Sequence, residues 1–174
     1  GSMNTLTSPS ALEVAVSLGL VVTEMASSGF RDRIITFEDS PRWVKVDGSI
    51  TNRVNQLVHA PWGQSTNFLS AMTLVANVYH DACVAEGRMV TMPTLITFSD
   101  MQFDIARRGQ GSAWETTYTL IESLWRGIGD ALRDVAGIEG VPETLTPPLM
   151  VFWNLAEVST GLVAGVHKKG VVQL

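Results

Sequence analysis

The stretch "TLITFSDMQFD", Thr94 to Asp104, decides the fold. Leu95, Ile96 and Phe98 make a run apolar enough to be covered on both faces, which is the mark of a strand inside a parallel sheet. The run stops at Ser99-Asp100, and a second acid follows at Asp104. A carboxylate at the rim of a core needs a partner, so Asp100 is the first candidate for a functional group. "PPLMVFWNL" (Pro147–Leu155) is a second run of the same kind, and "GVVQL" (Gly170–Leu174) begins a third.

The segments between these runs have helical spacing. In 11–26 the groups Leu12, Val16, Leu20 and Val14, Leu18, Val21, Met25 recur every three or four residues, with Ser8 or Ser10 as N-cap and Gly29 as stop. A helix from Asn67 to Glu86 carries Phe68, Met72, Val75 and Tyr79 on one stripe and ends at Gly87. Another, Trp114 to Val135, carries Tyr118, Ile121, Leu124 and Trp125. A short helix is expected over Ile50–His59. "DRIITFED" (Asp32–Asp39) reads as a strand, turned at Ser40-Pro41 into "RWVKVDG" (Arg42–Gly48). There Trp43, Lys45 and Asp47 alternate with Val44 and Val46, as in a half-exposed antiparallel edge strand. Strands alternating with helices imply an α/β domain: a Rossmann-like, mostly parallel sheet with helices on both faces and one antiparallel edge strand. Function in such sheets gathers at the carboxyl ends of the strands, where Asp100, Asn154 and the Pro61–Thr66 loop fall.

Composition narrows the classes. The 174 residues fit one domain, 1–174, with 45% hydrophobic and 17% charged residues and a net charge of −5. No basic run exceeds two residues, which argues against a nucleic-acid face. The single cysteine, Cys83, excludes an internal disulfide and fits a reducing compartment. No stretch reaches the roughly 18 unbroken apolar residues of a membrane span, and no basic start leads into an apolar leader. These features lead us to expect a soluble intracellular protein, cytoplasmic and not membrane-bound.

The ordered set "GSM…LEVAVSLGL", "FRDRIITFEDSPRWVKVDG", "APWGQSTNF", "LITFSDMQFD" and "MVFWNL" resembles the von Willebrand factor A-like domain. The likeness is to the version found at the C-terminal end of a plant, fungal and viral family without an assigned function. It covers essentially the whole chain. The resemblance implies a metal-ion-dependent adhesion site built from three loops. Carried over, the final Ser of the first loop is Ser2, the second-loop Thr is Thr66 and the third-loop Asp is Asp100. Two hydroxyls and a carboxylate are hard oxygen donors suited to Mg²⁺ or Mn²⁺. The first-loop Asp and first Ser, and the first strand, lie outside this sequence, so relative to the family the domain is N-terminally truncated and its site incomplete. Gly1-Ser2-Met3 also reads as a vector-derived leader, and that alternative stands beside the family one.

The implied function is a non-catalytic protein-interaction domain that takes an acidic residue of a partner protein through the ion. One alternative is a scaffolding domain whose metal site is lost, and another a metal-dependent hydrolase acting through Asp100. The resemblance also puts the missing strand in the middle of the sheet, between "RIITF" and "TLITF". Its absence would leave buried backbone groups unpaired. The edges are therefore expected to recruit a strand, from a second copy by self-association or from an upstream segment.

Simpler roles compete for each residue. Asp100 fits a turn cap, Asp104 a solvated charge, Thr66 an N-cap, and Trp62 and Trp153 packed aromatics, with Trp62 also placed to wall a crevice. His59, His80 and His167 fall on different elements and make no zinc pattern. There is no Gly-x-Ser-x-Gly elbow, phosphate loop or Gly-x-Gly-x-x-Gly after a strand. Cys83 sits mid-helix, an improbable nucleophile.

Overall fold

The computed structural model describes residues 9–27, 29–36, 40–62, 67–99, 111–155 and 171–173, with side chains described in all of these except 111–116, 171 and 173. In chain order these residues form α1 (Ala11–Met25), β1 (Arg33–Thr36), β2 (Arg42–Lys45), α2 (Ile50–Val58), α3 (Phe68–Glu86), β3 (Leu95–Ser99), α4 (Gly111–Arg133), β4 (Met150–Asn154) and β5 (Val171–Gln173).

The helices begin and end where backbone chemistry requires. At α1 the Ser10 hydroxyl accepts from the Glu13 N–H at 3.3 Å, while the Glu13 carboxylate accepts from the Ser10 N–H at 2.7 Å. This reciprocal capping box satisfies two otherwise orphaned donors. The helix stops at Ala26, three residues short of the expected Gly29. Asn67 caps α3 by accepting from the Ser70 N–H, and Gly87 closes it in the left-handed region at φ 64°, a conformation that glycine adopts without a Cβ clash. Gly111 is the first residue of α4, which starts three residues before the expected Trp114 and ends two before Val135.

The fold is mixed α/β, with its strands in two separate sheets among the described residues. β3, β4 and β5 form a parallel sheet in that order, with Leu95 opposite Met150 and Ser99 opposite Asn154. β1 and β2 form an antiparallel pair with Ile34 opposite Val44. The antiparallel partnership of Arg42–Lys45 is as expected, and β2 pairs with β1 alone. Among the described residues β1 and β3 do not pair with each other, so the two sheets stay separate there. Trp43 also departs from expectation. It is half-buried against Phe30, with ring centroids 6.3 Å apart, and packs on the main core, whereas Lys45 stays exposed. α3 lies against β2 and covers the face that alternation alone had left open.

Two apolar clusters hold these elements. The larger joins the α3 stripe (Phe68, Met72, Val75, Tyr79) to Tyr118, Ile121, Trp125 and Leu132 of α4 and to Met150 and Phe152 of β4. The smaller joins Val16 and Leu20 of α1 to Val46 and Leu57, with Ile34 and Val44 against it. The β1–β2 hairpin is thus sandwiched, with Ile34 and Val44 toward α1 and α2 and Ile35 and Trp43 toward the larger cluster. One described helix, α3, meets the length and composition of a membrane span, with a mean hydropathy of 1.2. Its apolar stripe packs inside the fold, and the core helix of a soluble domain meets the same test.

Candidate functional site

The carboxyl end of the parallel sheet is a short, well-defined rim. β3 and β4 end side by side, and the Leu155 N–H donates to the Ser99 carbonyl at 2.8 Å. On one face the Phe98 and Trp153 rings lie 5.7 Å apart, with Trp153 39% exposed. On the other, Phe68 at the start of α3 sits 5.5 Å from Phe152. That contact pins the start of α3 beside the end of β4. The start of α3 is therefore held against the strand beside β3 by packing between residues far apart in sequence.

Asp100 follows Ser99 directly and Thr66 precedes Asn67 directly, but both lie outside the described residues, as do Ser2, Asp104 and His167. Of their surroundings the structure describes the end of β3 at Ser99 and the start of α3 at Phe68. α1 begins at Ala11, nine residues after Ser2. The N-cap of α3 is Asn67, so the capping role expected of Thr66 belongs to its neighbour. Trp62, 38% exposed, donates its indole N–H to the Leu57 carbonyl at 2.9 Å; it closes the end of α2.

Among the described residues no three His, Cys, Asp or Glu side chains converge as a metal-binding group. Cys83 is fully buried in α3, and its Sγ accepts from the Val90 N–H at 3.5 Å. Burial pushes the Tyr79 hydroxyl up to about 12, with Cys83 adding to the shift. Burial, then Glu122, also raises Tyr118. The Tyr79 hydroxyl donates to the Val90 carbonyl at 3.1 Å. Perturbed groups can mark active sites, but these are tyrosines inside the core.

The strongest polar constellation that spacing did not reveal is at Arg53. Its guanidinium donates to Glu24 at 2.6 Å, to Asp32 at 3.0 Å and to the Thr23 hydroxyl at 3.3 Å, tying α2 to the end of α1 and the start of β1. Asp32 adopts φ 58°, a left-handed conformation unusual for a residue with a side chain. That conformation was the available clue, and it is a property of the folded backbone.

A mixed α/β domain with a parallel-strand rim and no catalytic cluster among its described residues is the class that fold and site define. The chain belongs to the family described as Domain of unknown function (DUF7788), which it matches over residues 1–173. It is also similar to "Uncharacterized protein L728" of Acanthamoeba polyphaga mimivirus, with 37% identity over 94 residues. That stretch covers 53% of this chain and 16% of the viral protein, so the likeness concerns a small part of a longer polypeptide. No solved structure matches the chain.

Proposed function

We propose that the chain is a non-catalytic interaction domain of von Willebrand A type, whose working surface is the rim at the carboxyl ends of β3 and β4. In this reading Asp100, Thr66 and Ser2 supply oxygen donors to Mg²⁺ or Mn²⁺, and the ion takes a carboxylate from a partner protein. The donor set suits a hard divalent cation. A site with one protein carboxylate also leaves the ion enough charge to attract an acidic ligand. The observation that supports the proposal is the Phe68–Phe152 contact, which sets the first residue of α3 against β4, the strand beside β3; in the sequence Thr66 stands two residues before Phe68 and Asp100 directly after β3. The finer fold reading belongs with it: the β1–β2 hairpin and the β3–β5 sheet are two parts of one Rossmann-like sheet.

Linkage gives the test. A cation bound only by the folded protein stabilises it, by about 2.7 kcal/mol at a concentration of 100 Kd. Thermal melts with Mg²⁺, Mn²⁺ or chelator should show a cation-dependent rise in Tm that disappears in Asp100→Ala and shrinks in Thr66→Ala. A Tm indifferent to both ions would leave a scaffolding domain and remove the metal-bridged partner.

A further inference from the structure

α1 is apolar on two opposite sides. Its core side is Ala15, Val16, Gly19, Leu20 and Thr23, all buried. On the other side Val14, Leu18, Val21 and Met25 stand four, three and four residues apart, the spacing that lines up one straight seam on a helix and marks a coiled-coil contact. Val14 and Leu18 are half-buried, whereas Val21 is 59% and Met25 82% exposed. Glu13, Ser17 and Glu24 form a narrow polar stripe between the two apolar sides. A helix apolar nearly all round belongs in an interior, and among the described residues only one of its two apolar sides is met.

The seam matches itself. Two copies of α1 laid antiparallel about a two-fold axis between Leu18 and Val21 set Leu18 against the partner's Val21, and Val14 against the partner's Met25, a small side chain against a long one. The polar ends match as well. Arg31 donates to the Glu24 carbonyl at 3.2 Å, which holds its exposed side chain at the C-terminal end of α1. Glu13 lies in the first turn, with its carboxylate drawn back onto the Ser10 N–H. Antiparallel pairing brings the C-terminal end of each helix beside the N-terminal end of the other, so each Arg31 comes to the end that carries the partner's Glu13. Glu24 is already paired with Arg53 and the Ser17 hydroxyl donates to the Glu13 carbonyl, so neither is left to be buried without a partner. Parallel pairing would instead set Glu13 beside Glu13 and Arg31 beside Arg31, with the two helix dipoles aligned unfavourably.

We propose that α1 is a self-recognition surface, and that two copies of this chain pair through Val14, Leu18, Val21 and Met25 of antiparallel α1 helices. The pairing uses no metal and no sheet edge, so it stands or falls separately from the cation test. The seam runs about 16 Å along the axis. One helix contact of that length is small beside the roughly 800 Å² a side of a standard interface, so the dimer is weak and depends on concentration.

Sedimentation of the 174-residue protein should show monomer giving way to dimer at about 100 μM. Val21→Lys with Met25→Lys changes exposed side chains, so it should leave the Tm of dilute protein unchanged and weaken the dimer at least about tenfold. Arg31→Glu should weaken it about threefold at low salt and reverse its salt dependence. Orientation is read with a short thiol cross-linker, which the buried Cys83 does not meet. Val14→Cys mixed with Met25→Cys should link into heterodimers, and Met25→Cys alone should not. A protein that stays monomeric to about 1 mM would overturn the proposal. So would a dimer indifferent to Val21→Lys with Met25→Lys, which would place the contact elsewhere, at a sheet edge for example. A clear fall in the Tm of the dilute double variant would mean that the chain itself covers the seam, and would overturn it too. Met25→Cys linking to itself in preference would overturn the antiparallel pairing.

Discussion

The two apolar clusters solve the same problem in different ways. Around α3 and α4 the core is deep and aromatic: Trp125 and Tyr79 meet edge to face with centroids 5.5 Å apart, and both are almost fully buried. Around α1 and α2, among the described residues, Val16, Leu20, Val46 and Leu57 form a smaller buried cluster, and Arg53 adds ion pairs to Glu24 and Asp32. Apolar burial scales with area, so the first region is held by packing. The second relies more on caps and charges. Stability should therefore be distributed unevenly along the chain.

Substitutions can break or sharpen this contrast. The largest effect is expected at Trp125, whose indole N–H has no hydrogen-bond partner among the described residues, so its contribution is volume and contact. Trp125→Ala should lower unfolding free energy by about 3–5 kcal/mol in denaturant titrations, and Trp125→Phe by much less. If the two cost the same, packing is not what holds this side.

Next comes Arg53→Met, which keeps the buried stem and deletes the charge. The Arg53 side chain is 11% exposed, but its partners Glu24 and Asp32 are 61% and 41% exposed, so water already screens the pairs. A loss of about 1 kcal/mol is expected. The parent protein should also lose part of this contribution in high salt, while the variant stays unchanged. A salt-independent difference would mean that the stem, and not the charge, is what matters.

The smallest effect concerns Glu13. Hydrogen bonds from the Ser10 backbone N–H and then its hydroxyl hold this carboxyl below the ordinary glutamate range. A carboxyl lowered in the folded state stabilises above its unfolded value, and the contribution disappears as pH falls through the folded value. Glu13→Gln should therefore lie below the parent protein in Tm at neutral pH and converge with it in acid. Parallel curves across that range would remove the capping box from the account.

Much of this architecture is visible in the sequence, for identifiable reasons. β3 and β4 are recognisable because strands covered on both faces need apolar residues at every position, and α3 because Asn67 and Gly87 bracket a clean 3.6-residue stripe. Trp43 misleads because alternation reports that two faces differ, and says nothing of a helix arriving from 25 residues later. Arg53 is silent because its partners lie 21 and 29 residues away and nothing local marks the pairing. At the rim, the ends of β3 and α3 can be anticipated from turn and cap chemistry. The convergence of those ends depends on Phe68 meeting Phe152, a contact that pattern reading does not supply.

Phe152 also sets an order of events during synthesis. All residues of the smaller cluster lie between Leu12 and Leu57, so it can close while the ribosome is still making the rest. The larger cluster needs Phe152 and Met150 from near the other end of the chain, and domains assemble only as their parts emerge. Until then the apolar helix α3 and the Ile35–Trp43 face of the hairpin lack their final cover. A nascent chain halted before β4 is thus the form of this protein most in need of a chaperone.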